Sequence, residues 1–275
     1  MDASAPGPRR VVAGAHRHLY DTAATRVLER AGLDATAAHV LMRRAGLATA
    51  RLALALAPHA GTIWIAAGPG NNGGDGMEAA LHLHGAGKQV ALTWLGERGT
   101  APADAAAAHD RARAAGVPFS ETPPAQWDLC IDALLGIGAS RPPQGVMAQW
   151  IDRMNRDGAP VLAIDMPTGL QADTGVAATP HVRADATLCL LTLKPGLFTA
   201  DGRDASRQVW LDDLQLDTTA LLPSLAPTAM LIDAPLQLGL PDGIGSSWLH
   251  DRIAVGEPPR TPDIIVRMQV GSDVR

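Results

Sequence analysis

Hydrophobic and polar residues follow two different patterns along the chain, and the pattern changes near residue 61. Over residues 18–60, apolar residues such as Ala24, Val27 and Leu28 recur at helical spacing with charged residues on the opposite face. This spacing predicts one helix in "DTAATRVLERAG" and a second in "DATAAHVLMRRAGLATARLALALAP", which stops at Pro58. We therefore expect extra helices at the amino end of the fold.

From residue 61 onward, short apolar runs alternate with helical segments. The run "GTIWIAAG" is continuous and bounded by glycines, which is typical of a strand buried on both faces. Strands are also predicted in "KQVALTWLG", "DLCIDALLG", "APVLAID", "ADATLCLLTL" and "RQVWLDDL". One helix is predicted after the first strand, up to about Ala86, and two more are predicted in "PADAAAAHDRARAAG" and "GVMAQWIDRMNRDG". This alternation predicts an α/β fold, with a mostly parallel sheet and helices on both faces.

The last sixty residues show no sustained hydrophobic period. Residues 216–275 are rich in Pro, Leu, Asp and Gly. We therefore predict a domain over residues 1–215, followed by a poorly specified tail.

Composition and charge limit the classes of protein to consider. Hydrophobic residues make up 47% of the 275-residue chain and charged residues 19%, as in globular proteins. The net charge of -5 does not favour a nucleic-acid or anionic-membrane partner. The most apolar helical stretch, "LATARLALALA", is too short to cross a bilayer. With no secretory signal expected in the first twenty residues, we predict a cytoplasmic protein in which Cys130 and Cys189 are buried free thiols.

The first strand is followed by a loop, "GPGNNGGDG", that is unusually rich in glycine. Its amides and the helix that follows could hold a phosphate, and the letters satisfy the dinucleotide pattern G-x-G-x-x-G. A dehydrogenase would also need an acidic residue about twenty positions on, for which Glu97 is a poor match. Asn71, Asn72 and Asp75 add oxygens that suggest a cation or sugar hydroxyls instead. The alternative is a plain turn with Asp75 as helix N-cap.

Oxygen-bearing side chains recur at the carboxyl ends of the predicted strands. Asn72, Asp132 and Thr168 each stand at such an end, and hard cations prefer oxygen ligands. One carboxylate among neutral oxygens favours a monovalent ion. The alternative is that Asp132 and Thr168 only cap turns.

Two further strand-end residues are candidates for proton transfer. The sequence contains neither a G-x-S-x-G elbow nor the Lys-Ser/Thr of a P-loop. His82 and His84 lie two residues apart and point to different sides of a helix, which favours a surface or packing role. Asp165 and Lys194 remain as the candidates.

Five motifs in one order resemble a known family. They are "LMRRAG", "GPGNNGGDG", "DALLGIGASRP", "IDMPTGLQADTG" and "RADATLCLLTLKPGL". Over residues 18–214 the chain resembles the NAD(P)H-hydrate epimerases, also called the YjeF amino-terminal domain. The resemblance implies a Rossmann-like three-layer α/β/α sandwich, usually dimeric, that interconverts the R and S epimers of hydrated NADH and NADPH. A separate dehydratase then uses the S epimer, so we expect functional coupling to such an enzyme.

The resemblance also implies site residues. The substrate would be bound by Asn71, Asn72, Gly73, Gly74, Asp75, Gly136, Ile137, Gly138, Ala139, Ser140, Arg141, Pro142 and Asp165. One potassium ion per subunit would be bound by Asn72, Asp132 and Thr168. Thr168 stands where the family usually has serine, and it keeps the hydroxyl oxygen. Asp165 is the expected general acid/base, while Lys194 would orient Asp165 or a phosphate, or only satisfy a turn.

Two questions stay open at this point. A fold of this type can lose its chemistry and remain a nucleotide-binding module. Residues 216–275 lack the glycine-rich signature of the dehydratase domain found in many bacterial relatives, so we expect them to be a remnant or a diverged tail.

Overall fold

The structure is a computed structural model of the 275-residue chain. It describes residues 7–11, 17–139, 141–217, 222, 225–232 and 265–268.

The strands that form the two sheets are short, and most belong to one central sheet. They are β1 (Arg9–Arg10), β2 (Arg17–Leu19), β3 (Thr62–Ala67), β4 (Gln89–Trp94), β5 (Phe119–Ser120), β6 (Leu129–Ala133), β7 (Val161–Ile164), β8 (Ala186–Leu190), β9 (Gln208–Asp212), β10 (Ala229–Ile232) and β11 (Ile265–Met268). The central sheet has the order β1-β9-β8-β7-β6-β3-β4-β5. All its pairs are parallel except β1 with β9.

In the residues that the structure describes, six helices accompany these strands. They are α1 (Thr22–Ala35), α2 (Val40–Leu56), α3 (Asn71–Gly85), α4 (Ala103–Ala114), α5 (Gly145–Asp157) and α6 (Gly202–Ser206), with a 3₁₀ turn at Pro195–Leu197. None of the helices in the described part of the chain is both long and apolar enough to span a membrane.

The apolar strands are buried because helices cover both faces of the sheet. Ile63 and Ile65 of β3 belong to a core formed with α2, α3 and α4. Trp64, between them, points to the other face, where it packs near Trp150 of α5. This three-layer arrangement confirms the predicted α/β sandwich with extra amino-terminal helices.

Some elements at the edges of the fold were not predicted from the sequence. β5 is only two residues long, and β1 adds an antiparallel edge strand. Residues 18 and 19, expected to begin the helical region, belong to β2 instead. Cys130 and Cys189 are buried free thiols, as predicted.

A second, three-stranded sheet involves the end of the chain. Its order is β11-β10-β2, and both pairs are antiparallel. Leu19 of β2 shares an apolar cluster with Ala229 and Leu231 of β10. The segment 216–275, expected to be poorly specified, therefore contributes two strands, one of which packs against residues of the predicted domain. The boundary at residue 215 stays a prediction.

Candidate functional site

The carboxyl ends of β3, β6, β7 and β8 open into a cavity of about 430 Å³. Strand ends in a parallel sheet are the usual place for a ligand. The structure brings nine of the predicted site residues to its wall. These are Asn71, Asn72, Asp75, Gly136, Ile137, Gly138, Ala139, Asp165 and Lys194.

Other predicted contact residues lie away from the cavity wall. Gly73 and Gly74 are buried inside the packing of α3, and a Cβ atom on Gly73 would lie 2.0 Å from the Gly68 carbonyl oxygen. Arg141 and Pro142 are exposed residues that do not line the cavity. Ser140 lies outside the described residues.

Close packing explains most of the glycines in the loop. A Cβ on Gly68 would lie 1.8 Å from the Leu134 carbonyl oxygen, and one on Gly76 would lie 2.5 Å from the Cβ of Ala133. A Cβ on Gly70, by contrast, would meet no atom within 4 Å. Packing therefore accounts for Gly68 and Gly76, whereas Gly70 has open space beside its backbone, and phosphate binding by the loop stays a prediction.

The amino end of α3 faces the cavity without a side-chain cap. Gly70 is the N-cap residue, so Asp75 is not the cap that the alternative reading required. The first N–H groups of a helix have no partner inside the helix, and together with the helix dipole they favour an anion. Gly70 and Asn71 both line the cavity at this end.

Asp165 and Lys194 form an ion pair at the cavity. Lys194 Nζ donates to Asp165 Oδ1 over 2.5 Å and to the Leu190 carbonyl oxygen over 2.7 Å. The Lys194 side chain is fully buried, whereas that of Asp165 is 13% exposed. Burial by itself lowers the pKa of Lys194, but the neighbouring Asp165 and Cys189 raise it more, so the ammonium is kept charged.

The backbone holds Asp165 in an uncommon conformation. Its φ of 65° lies in the left-handed region, which a non-glycine residue seldom adopts. The Ile137 N–H donates to its second carboxylate oxygen over 3.2 Å. One oxygen of Asp165 is therefore bound by the ammonium and the other by the loop after β6.

Asp132 lies one strand away and is completely buried. Oδ1 accepts from the Thr168 hydroxyl over 2.7 Å and from the Leu134 N–H over 3.2 Å, while Oδ2 accepts from the Thr168 N–H over 2.8 Å. All these donors are neutral. Burial raises the pKa of Asp132 to about 6.

Asn72 lies at the same edge of the sheet, next to the loop after β6. A Cβ atom added to Gly136 would lie 3.5 Å from Asn72 Oδ1 and 3.1 Å from Asp165 Oδ2. Asn72 Nδ2 is buried, with no hydrogen-bond partner in the described part of the chain. The structure therefore places Asp132 and Thr168 in direct contact, and Asn72 beside Asp165.

Helix α1 also contributes to the cavity, which was not predicted from the sequence. Thr25, Arg26 and Glu29 of this helix all line the cavity wall. The Thr25 and Thr192 hydroxyls lie 2.7 Å apart, which ties α1 to the loop after β8. One feature of the sequence could have indicated this contribution. The polar residues Thr25 and Glu29 are four positions apart, on the same side of the helix as the buried Leu28.

Carboxyl groups dominate the charge of the cavity. Burial, followed by the charge of Asp165, raises the pKa of Glu29. Burial and then the charges of Asp165 and Glu29 raise the pKa of Asp75 well above its ordinary value. Asp104 of α4 also lines the wall, 2.5 Å from the His39 ring. A carboxyl group that stays protonated can donate a proton, so the cavity offers both proton donors and acceptors.

Known proteins resemble the chain over most of its described length. The family described as YjeF-related protein N-terminus matches residues 38–196. The NAD(P)H-hydrate epimerase of Limosilactobacillus fermentum is 38% identical over 178 residues, which cover 64% of this chain and 86% of that protein. The bifunctional NAD(P)H-hydrate repair enzyme Nnr of Escherichia coli K12 is 36% identical over 181 residues.

The coverage of these relatives differs. The matched region spans 65% of this chain but only 35% of the E. coli protein. The crystal structure of the yeast protein ynu0 has a TM-score of 0.57 and 20% identity, and it covers 65% of this chain and 82% of the yeast chain, which shows the fold. Because the family matches more than half of the chain, the protein belongs to the YjeF-related protein N-terminus family.

Proposed function

We propose that the protein interconverts the R and S epimers of hydrated NADH and NADPH. The epimerase of L. fermentum supports this activity, because the chain covers 86% of that relative. The observation that carries the proposal is the Asp165–Lys194 ion pair at the cavity.

The reaction needs proton transfer but no redox step. The carbon to be inverted carries a hydroxyl group next to the ring nitrogen. The hydroxyl can accept a proton and leave as water, while the nitrogen lone pair stabilises the cationic ring. Water then adds to the other face and loses a proton. The alternative is that the ring opens and recloses, which also moves a proton to and from oxygen.

The cavity residues divide these proton transfers between them. In the proposal, Asp165 accepts the proton from the attacking water, since Lys194 and the Ile137 N–H stabilise its carboxylate. Asp75 donates the proton to the departing hydroxyl, because its raised pKa keeps it protonated to higher pH. Lys194 is a positioning residue that orients Asp165.

The substrate would lie between two walls of the cavity. The uncapped amino end of α3, at Gly70 and Asn71, suits a phosphate group. Gly136–Ala139 form another part of the wall, where glycine leaves space for the nucleotide.

A potassium ion fits the residues beside this cavity. Asp132 is a buried carboxylate with only neutral donors, and within the described ranges no cationic side chain pairs with it. Asn72 would add its amide oxygen. Because its Nδ2 has no hydrogen-bond partner within the described residues, turning the amide toward the ion would break no hydrogen bond of that nitrogen. Asn72, Asp132 and Thr168 would hold the ion, which would supply positive charge near the anionic substrate.

The wider setting of the protein follows from the same proposal. A homodimer that acts on NADH and NADPH hydrates in the cytoplasm would pass the S epimer to a separate dehydratase. The bifunctional name of the E. coli relative supports that coupling, as the chain covers only 35% of that protein.

The test starts from one purified epimer of the hydrate. Chiral chromatography should show that the wild-type protein converts the R hydrate into a mixture of both epimers, with no change in oxidation state. Asp165→Asn keeps the shape of the side chain, and we expect it to slow conversion by about 100- to 10,000-fold. Dinucleotide binding without conversion by the wild type would show a nucleotide-binding module instead.

A further inference from the structure

Two positively charged side chains at the cavity wall, Lys194 and Arg26, differ in whether they form an ion pair. Lys194 is paired with Asp165. Arg26 of α1 also lines the cavity. Across the described ranges it has neither a hydrogen bond nor an ion pair with another residue, although its charge acts on Glu29, three residues along the same helix. Its guanidinium is therefore free to bind a ligand.

Several contacts fix the backbone of α1 beside Arg26, whose side chain is exposed. The preceding residue, Thr25, is bonded to Thr192, and the first turn of α1 is capped by Asp21, whose side chain accepts from the Ala24 N–H. Arg26 Nη2 lies 3.6 Å from the position that a Cβ on Gly138 would occupy. The guanidinium thus stands over the glycine loop after β6, at the edge of the cavity.

The charge of the cavity makes an unpaired guanidinium significant. Glu29, Asp104 and Asp165 line the wall, so an anionic ligand would meet repulsion there. The amino end of α3 offers backbone N–H groups for one phosphate. A dinucleotide carries at least two phosphate groups, and arginine binds phosphate through two parallel N–H···O bonds.

We propose that Arg26 binds a phosphate group of the dinucleotide substrate. This inference rests on the proposed function. The phosphate belongs either to the pyrophosphate, which both hydrates carry, or to the 2′-phosphate, which only the NADPH hydrate carries. Gly138 supports the assignment, because a side chain at that position would occupy the space beside the guanidinium.

The experiment compares three variants with the wild type. Arg26→Ala removes the guanidinium, and Arg26→Lys keeps the charge but not the paired geometry. Arg30→Ala is the matched control, because Arg30 lies one turn further along the same helix, is exposed and does not line the cavity. The initial rate of epimerisation is measured against concentration for the NADH and NADPH hydrates separately.

We expect Arg26→Ala to raise KM by about 10- to 100-fold, with kcat within about twofold. Arg26→Lys should fall between this variant and the wild type, while Arg30→Ala should stay within about twofold. A rise in KM for both hydrates would assign the pyrophosphate, and a rise for the NADPH hydrate alone would assign the 2′-phosphate. A KM within twofold of wild type for both hydrates, or an equal effect of Arg30→Ala, would overturn the proposal.

A binding measurement separates this inference from the proposed function. Calorimetric titration with NADH and with NADPH gives dissociation constants without any turnover. If the wild type does not epimerise the hydrates, the proposed activity fails, but weaker binding of either nucleotide by Arg26→Ala would still support the phosphate contact. Equal binding by wild type and variant would contradict it.

Discussion

Asp132 and Asp165 stand at the carboxyl ends of neighbouring strands, yet their charges are balanced in different ways. Asp165 accepts a hydrogen bond from the Lys194 ammonium over 2.5 Å, and part of its side chain stays accessible at the cavity. Asp132 is fully buried and receives only neutral hydroxyl and amide donors. The same position in the fold therefore produces two sites of different chemistry.

The difference shows that charge compensation, rather than place in the sheet, separates the two proposed roles. A carboxylate with its own cation can stay ionised next to a substrate and exchange protons with it. A buried carboxylate without a cation is costly to ionise, and a bound metal ion would remove that cost. This difference supports the proposal that Asp165 transfers protons and that Asp132 binds potassium.

The largest effect is expected when the compensating cation is removed. Lys194→Met leaves the mostly buried Asp165 without its partner, so the free energy of unfolding should fall by about 3–5 kcal/mol. The double variant with Asp165→Asn should recover part of that loss, because no unpaired charge remains. Denaturant unfolding gives the free energy of unfolding of Lys194→Met, Asp165→Asn and the double variant. Strictly additive losses would mean that the two side chains do not stabilise each other.

A smaller effect is expected from the Thr168 hydroxyl. At a potassium concentration about 100 times its Kd, the wild type should gain about 2.7 kcal/mol of stability. Thr168→Ser keeps the oxygen and should keep that gain, whereas Thr168→Val removes the oxygen at nearly constant volume and should lose it. The gain is measured as the difference in melting temperature between potassium chloride and choline chloride, which serves as the control salt. A full potassium response of Thr168→Val would remove the hydroxyl from the site.

The smallest effect concerns the pH dependence of stability. The folded state holds the Asp75 proton to higher pH than the unfolded chain does, because burial and neighbouring carboxylates raise its pKa. The stability from this proton is present below about pH 4 and is lost as pH rises through the raised pKa. Asp75→Asn should therefore gain stability relative to the wild type as the pH rises from 4 to 8.

Denaturation at pH 4, 6 and 8 tests this expectation. The difference in stability between Asp75→Asn and the wild type should grow with pH. A difference that stays constant from pH 4 to pH 8 would show that Asp75 titrates alike in the folded and unfolded states.

The central sheet was predictable because its buried strands are largely apolar, as in the continuous run of β3, and are bounded by glycines or charged residues. Ile63 and Trp64 show why the run has to be continuous, as they belong to cores on opposite faces. The two-residue strand β5 carries no such signal, and the pairing of β2 with β10 joins segments more than 200 residues apart. Pairing at that distance depends on tertiary packing, which local periodicity does not encode.

The site was predictable where a residue follows a strand, and less so elsewhere. Asp132 and Asp165 are placed by the sheet itself, so their proximity followed from the topology. Glu29 and Arg26 reach the cavity because α1 folds back over the strand ends, which the helical pattern alone does not indicate. Gly73 shows the limit of the pattern, because glycine permits both ligand binding and close backbone packing, and its substrate contact stays a prediction.

The most direct test of the assigned roles is a potassium titration of the melting temperature for Asp132→Asn beside Asp165→Asn. If potassium binds at Asp132, the ion will stabilise Asp165→Asn about as much as the wild type and will leave Asp132→Asn unchanged. Equal stabilisation of both variants, or a response lost only in Asp165→Asn, would contradict the division of roles between the two carboxylates.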